Sequence, residues 1–391
     1  MSVQMNAFEK ADPAQQQRCG RYLIAVLRAV LRGENAPALP EQLRWDEVYE
    51  MAKFQQLNAM VYAGVAPMLQ SEPELAARWK KSCDQGMVQT LTQISEQPRL
   101  LAAFSAAGLR VLPVKGSAVR AAYPRPDFRQ MGDIDLIIPH EQREQTDKLL
   151  QSLGYQTQPG TEEETEIDAE LPPYLHVEIH EALLKSDDQN AAYYDDIWQR
   201  VEADKALPGV FHLRTEDEYL YQLLHFIQHY EAAGVGIRQV LDIFLFQKTY
   251  GGQMDAAYLN QETEKLNIRA MRELVERLAS FWFGDEPGTA DEAVRELENF
   301  CFLSGLYGGY LSHLICLTRR TQKAQTGVLW KVKYLLHRLF PPFDNLCLRY
   351  PKLKKAPWLL PFYWVARLVD PTYWRTRFRY EMDSVRKTKQ G

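Results

Sequence analysis

Apolar positions near the start of the chain recur in steps of three and four. Tyr22, Leu23, Val26, Leu27, Val30 and Leu31 fall on one stripe, which is the 3.6-residue period of an amphipathic helix. Residues 45–69 and 74–107 continue the pattern, with breaks at Pro37, Pro40 and Pro73. The period then changes. Short β-type runs cover residues 109–114, 134–138, 155–158 and 174–179, and a helical stretch at 141–153 ends at the stop signal Gly154. Residues 160–170 (GTEEETEIDAE) read as a polar, acidic, mobile loop. Helix returns at Thr215, where Glu218 three residues later completes a capping-box pattern.

These periods predict an α+β protein: a small mixed β-sheet core at 108–213, flanked by largely α-helical N- and C-terminal regions. The helical parts are 1–107, a packing or acceptor-facing scaffold, and 214–318. A basic, aromatic-rich C-terminal region, 319–391, completes the chain. The 46% apolar and 25% charged content supports ordinary hydrophobic cores and excludes global disorder.

Five scattered cysteines (Cys19, Cys83, Cys301, Cys316, Cys347) form no metal-knuckle spacing and suit free thiols in a reducing compartment. The N-terminus lacks the basic and apolar segments of a signal peptide. No uncharged apolar run approaches the ~20 residues that cross a bilayer; the nearest, 357–369, is short and contains Arg367. A cytoplasmic protein, or one peripheral to the inner face of the membrane, is expected.

Charge is unevenly spread. From Arg319 onward there are 17 basic against four acidic residues, leaving 29 basic against 47 acidic before it, within a net charge of −5. A basic tail on an acidic body suits an anionic membrane surface or a polyanion, or pairing with the acidic body itself. Trp358, Tyr363, Trp364, Tyr373, Trp374 and Phe378 interleave there with Arg367, Arg375, Arg377 and Arg379. That composition suits an interfacial layer, single-stranded nucleic acid or ordinary helical packing.

The chemistry concentrates in two places. A strand at 111–114 runs into Lys115-Gly116-Ser117 and a short helix, a turn that lets backbone approach a phosphate. Asp133 and Asp135 follow. Side chains at i and i+2 of a strand share a face, so these carboxylates project together, and their repulsion is relieved by a cation. Mg²⁺ fits, since it takes a few carboxylates and completes its shell with phosphate and water. In the run HVEIH, His176, Glu178 and His180 also share a face. Set beside the first strand, Glu178 would complete a three-carboxylate site able to clamp two metals; the same His-x-Glu-x-His pattern also suits Zn²⁺.

The run VKGSAVRAAYPRPDFRQMGDIDLII resembles the motif region of the uncharacterised nucleotidyltransferase family found across bacteria. The shared features are Lys115-Gly116, Tyr123-Pro124, Arg129, Gly132-Asp133-Ile134-Asp135-Leu136 and Glu178-Ile179-His180, continuing into Leu224-His225 and Arg238 with Asp242. The likeness spans roughly residues 108–245, with a looser match beyond. That family is similar to the DNA-polymerase-β-like nucleotidyltransferase superfamily, which implies a mixed sheet flanked by helices and transfer of an NMP from an NTP. The resemblance assigns metal (Mg²⁺ or Mn²⁺) to Asp133, Asp135 and Glu178, and nucleotide to Lys115, Gly116, Ser117, Arg129 and Gly132. His176 and His180 stand as accessory residues. Ser117 lies 16 residues before Asp133, farther than in compact superfamily members, and the third acid is Glu rather than Asp.

Partners expected on this basis are an NTP and an acceptor hydroxyl on a sugar, protein, RNA or small molecule. Two other readings stand beside it: a non-catalytic nucleotide-binding or regulatory module, and a membrane-surface factor in envelope polysaccharide assembly. Arg129 is expected at the phosphates or in an ion pair with Asp127 or a site carboxylate. His225 and His229 share a helix face, as core-edge histidines or as a second metal site with Glu231 or Asp242. Arg238 and Asp242 have the spacing of an i,i+4 pair.

Overall fold

The structure, a computed structural model, describes residues 13–159, 166–184, 188–285 and 289–306, isolated positions between 308 and 353, and residues 357–368. The chain divides into two compact units, Met5–His313 and Leu314–Gly391 with Met1–Gln4.

In the larger unit the N-terminal periodicity becomes four helices: α1 (Pro13–Arg32), α2 (Trp45–Phe54), α3 (Asn58–Val65) and α4 (Pro73–Ala106). Leu23, Val26 and Leu27 of α1 are fully buried, as an apolar stripe at this spacing requires. The sheet follows, with its connecting helices: β1 (Leu112–Pro113), α5 (Gly116–Ala121), β2 (Ile134–Ile137), α6 (Arg143–Ser152), β3 (Gln156–Pro159), β4 (Glu166–Leu171) and β5 (Leu175–His180). Its order is β1-β2-β5-β4-β3. Only β2 and β5 run parallel; the other neighbours are antiparallel, so the sheet is mixed and the fold is α+β.

One face of this sheet is core. Ile134 and Leu136 of β2, Ile167 and Ala169 of β4, and Val177 and Ile179 of β5 pack with Leu100 and Phe104 of α4 and Leu150 of α6. The intervening residues must then point to the opposite face, and this is where the chemistry lies.

Beyond the sheet come α7 (Ile197–Arg200), a small ribbon of β6 (Glu202–Ala203) and β7 (Phe211–His212), and five helices. These are α8 (Thr215–Ala232), α9 (Ile237–Tyr250), α10 (Ala256–Lys265), α11 (Arg269–Phe283) and α12 (Glu292–Ser304). Helix α1 packs against α11 and α12 as well as α3. In the smaller unit, α13 (Leu360–Leu368) follows a 3₁₀ turn at Pro357–Leu359, and buried Leu353 packs with Phe343, Leu359, Leu360, Tyr363 and Trp364.

Three expectations need correcting. Residues 166–170, read as part of a mobile acidic loop, form most of β4, because Ile167 and Ala169 alternate with the acids and enter the core. The expected strand at 109–114 is shorter: its ladder with β2 covers Leu112 and Pro113, followed by one bond from the Val114 N–H to the Asp135 carbonyl, and Val111 bridges Val210 instead. The capping box at Thr215 does not form: Arg214 is the N-cap, no side chain caps it, and Glu218 is buried rather than reaching back. Of the cysteines, Cys19, Cys83 and Cys301 are free thiols, Cys316 is buried, and Cys347 lies outside the described residues. Tyr373, Trp374, Phe378, Arg375, Arg377 and Arg379 of the basic tail also lie outside them.

Candidate active site

The parallel pairing of β2 with β5 sets Asp135 directly opposite Glu178. Glu178 in turn faces Asp168 of β4, so three acids lie in a row across adjacent strands. Asp133, one residue before β2, joins the group: Asp133, His176 and Glu178 have ligand atoms within 4.8 Å of one another, and so do Asp135, Glu178 and His180. Glu178 belongs to both sets. The two histidines are held from the far side by β4, His176 Nε2 lying 3.5 Å from Asp168 Oδ1 and His180 Nδ1 3.4 Å from Glu166 Oε1.

The carboxylates are unequally served. Asp135 is buried, which opposes its charge, yet His180 donates from Nε2 at 3.1 Å and Lys115 donates from Nζ at 2.5 Å, both to Oδ1. These partners outweigh burial and hold the Asp135 pKa below the ordinary range. Asp133 and Glu178 go the other way. Burial raises both, and the charge of Asp135 adds to each, with Asp133 also acting on Glu178. Within one cluster, then, Asp135 is more than compensated, whereas Glu178, 3.6 Å from His180 Nε2, and Asp133 are compensated only in part.

Lys115 reaches Asp135 from a strained position, with φ +57° and ψ −104°, a backbone state uncommon outside glycine. Burial disfavours its ammonium, but Tyr221 and Asp135 prevail and its pKa lies above the usual lysine value. Behind it, Gly116 is tightly enclosed. A Cβ there would lie 2.1 Å from Met131 Cε and 3.0 Å from Arg129 Nη1.

Arg129 does not face the carboxylates with a free fork. It donates to Asp242 of α9 from Nε at 2.9 Å and Nη2 at 3.1 Å, and from Nη1 to the Gly116 carbonyl at 3.3 Å. Tyr123 donates to the same Asp242 at 2.6 Å. The expected pairing with Asp127 is replaced, since Arg125 takes that acid in a bidentate contact. Arg129 therefore ties the Lys115–Gly116 turn to α9. Arg238 reaches Gln56 and the Gln130 carbonyl.

A cavity of about 240 Å³ opens between this cluster and helices α8 and α9. Lys115, Gly116, Gly132, Asp133 and Asp135 form one wall, and Tyr221, His225, Phe226, His229 and Gln239 form another. His225 and His229 share a hydrogen bond at 3.1 Å between their Nε2 atoms. Burial lowers the pKa of both, so they stand neutral, one donating and one accepting. Among the described residues they gather no third metal-ligating side chain. Ser117 lies in α5, with its side chain outside the described residues.

Sequence reasoning missed two contributors. Glu166 and Asp168 support the histidines, and their alternation with Ile167 and Ala169 was a strand signal hidden by acidic composition. Gln89 and Gln93 of α4 donate to the carbonyls of Gly132 and Met131, fixing the loop that enters β2. No local pattern marks those amides, because their partners are 43 and 38 residues away.

Comparison with known proteins agrees with this geometry at the level of family. The model of a family described as uncharacterised nucleotidyltransferase matches residues 41–284, more than half of the chain. No curated protein matches. Two solved structures are similar over a minority of the chain. One is the solution structure of the antibiotic-resistance factor ANT(2'')-Ia, 15% identical, covering 47% of this chain and 98% of that one, with a TM-score of 0.33. The other is the crystal structure of ANT(2'')-Ia in complex with adenylyl-2''-tobramycin, 18% identical, covering 41% and 91%, with a TM-score of 0.31.

Proposed function

Since the chain belongs to the uncharacterised nucleotidyltransferase family, we propose that it transfers an NMP group from an NTP to an acceptor hydroxyl, using divalent metal held by Asp133, Asp135 and Glu178. The observation that carries this reading is the parallel register of Asp135 with Glu178, which gathers three carboxylates beside a cavity lined by Lys115, Asp133 and Asp135.

The donor set fits a hard divalent cation. Asp133 and Glu178 carry raised pKa values because burial and neighbouring charge oppose their ionisation, and a cation between them offsets both. Carboxylate oxygens predominate, as Mg²⁺ or Mn²⁺ prefers. His176 and His180 orient the acids from the adjacent strand positions. When bound, the metal supplies charge to the phosphates and to the attacking oxygen.

The chain's own residues do the rest. The acceptor oxygen forms a bond to the α-phosphorus as the bond to pyrophosphate breaks, and Glu178 takes the hydroxyl proton. Lys115, already charged and at the cavity wall, donates to phosphate oxygens. Gly116 and Gly132 let backbone approach the nucleotide, with Ser117 as the hydroxyl of the same turn. Arg129 serves as a positioning residue: its bonds to Asp242 and Gly116 hold the turn in place.

The test is calorimetric titration of ATP, GTP, CTP and UTP in the presence of Mg²⁺, with wild type and Asp133→Asn/Asp135→Asn. Binding of at least one nucleotide that the double variant loses supports the proposal. No binding to folded protein, or equal binding by the variant, removes it.

A surface role for the smaller unit has its own support. Trp358, Phe362 and Val365 are 74%, 71% and 61% exposed along one side of the 3₁₀ turn and α13, an apolar face suited to an anionic membrane interface. No helix among the described residues is long and apolar enough to cross a membrane. Flotation with anionic liposomes tests this: Trp358→Ser/Phe362→Ser should lose binding, and unchanged flotation ends the idea.

A further inference from the structure

A second cavity, of about 350 Å³, lies where α1 meets the end of α11 and the start of α12. Its floor is apolar: Ile24 and Ala25 of α1, with Phe281 and Trp282 of α11. Its rim is cationic, formed by Arg21, Arg28 and Arg295. The one acid on the wall, Glu298, is buried and already taken, accepting from Trp282 Nε1 at 3.0 Å and Arg21 Nη2 at 3.2 Å.

Part of this arrangement has a structural purpose. Arg28 donates from Nε to the Trp282 carbonyl at 2.8 Å and from Nη2 to the Phe281 carbonyl at 3.2 Å, which satisfies the last turn of α11. Arg295 donates from Nε to the Ala290 carbonyl at 3.2 Å. Neither bond neutralises the charge. Among the described residues, no carboxylate lies within ion-pair distance of Arg28 or Arg295, and burial followed by the charge of Arg32 lowers the Arg28 pKa. Among the described residues Glu298 thus pairs with Arg21 alone, and Arg28 and Arg295 meet no carboxylate around an apolar hollow large enough for a small molecule.

We propose that this cavity binds a small organic anion, a phosphate or carboxylate carried on an aromatic or branched apolar body. The guanidinium groups match the planar geometry of either anion and keep their charge at all working pH. The body would lie against Phe281, Ile24 and Ala25, where inorganic phosphate leaves the floor uncovered. The site shares no lining residue with the cavity at the carboxylates, so it stands apart from the transfer reaction.

Calorimetry on the full chain tests the assignment with four probes: 1-naphthyl phosphate, 1-naphthoate, inorganic phosphate and neutral 1-naphthol. At least one naphthyl anion should bind, with inorganic phosphate and 1-naphthol weaker by about tenfold or more. Arg21→Gln/Arg295→Gln, both at exposed positions, should weaken the anion by about tenfold. Ala25→Trp should abolish binding by filling the hollow, while Asp133→Asn/Asp135→Asn should leave it intact. The proposal is overturned if neither naphthyl anion binds at millimolar concentration, or if binding survives both Arg21→Gln/Arg295→Gln and Ala25→Trp. It is equally overturned if binding is lost only in the Asp133→Asn/Asp135→Asn protein, which would move the anion to the other cavity.

Discussion

Two groups of buried charge lie within one cavity's reach and behave in opposite ways. At Arg129, Asp242 and Tyr123, both carboxylate oxygens and the three guanidinium nitrogens have partners. At Asp133, Asp135 and Glu178, Lys115 and His180 bond to Asp135, and the other two acids keep raised pKa values although His180 Nε2 also lies 3.6 Å from Glu178. The first group holds shape. The second is only partly offset by positive charge and lies beside a cavity, which is the ground on which a metal site is proposed there.

The contrast is sharpest in stability. Asp242→Ala should strand the Arg129 charge in the interior and cost about 3–5 kcal/mol, the range seen when one partner of a buried pair is removed. Asp133→Asn should cost nothing or stabilise without metal, because it removes an ionisation that burial opposes. Urea denaturation of both variants checks this. A large loss in Asp133→Asn would erase the distinction between the two groups.

Glu218 tests the edge of the compensated group. Burial pushes its pKa up to about 8, with Gln222 and Arg129 only partly opposing. A raised folded-state value favours the protonated native form, so this stability is complete below the ordinary glutamate value and is lost as pH rises through about 8. Glu218→Gln should therefore flatten the decline of stability between pH 5 and 9, by on the order of 3 kcal/mol at the alkaline end. Parallel pH profiles for wild type and variant would mean that Glu218 is charged in the native state.

How far the chain revealed this contrast depended on the range of the contacts. Asp133, Asp135, His176, Glu178 and His180 were legible because a period of two fixes their face, and pairing β2 with β5 does the remainder. Arg129 and Asp242 are 113 residues apart; each pattern was visible alone, and nothing local joined them. Strand β4 was obscured by its acids, although Ile167 and Ala169 carried the correct alternation. The Thr215–Glu218 motif marked the helix start correctly, but its capping contact does not form, because Glu218 is buried.

Smaller effects refine the picture. Gly116→Ala forces Met131 and Arg129 to give way, and about 1–2 kcal/mol of stability should be lost, with weaker nucleotide binding as the turn shifts. An unchanged melt and unchanged binding would show that the turn needs no glycine. His180→Gln should weaken metal by about tenfold through loss of the Asp135 bond, with little change in stability; titration of Mn²⁺ reads this directly.

The central claim is that Asp133, Asp135 and Glu178 hold divalent metal, and electron paramagnetic resonance of free Mn²⁺ tests it most directly. Titrated into wild type, the signal of free ion should fall until the site saturates, and in Asp133→Asn/Asp135→Asn it should rise from the first addition. If wild type and variant deplete Mn²⁺ equally, the charge imbalance at β2 and β5 serves something other than a metal.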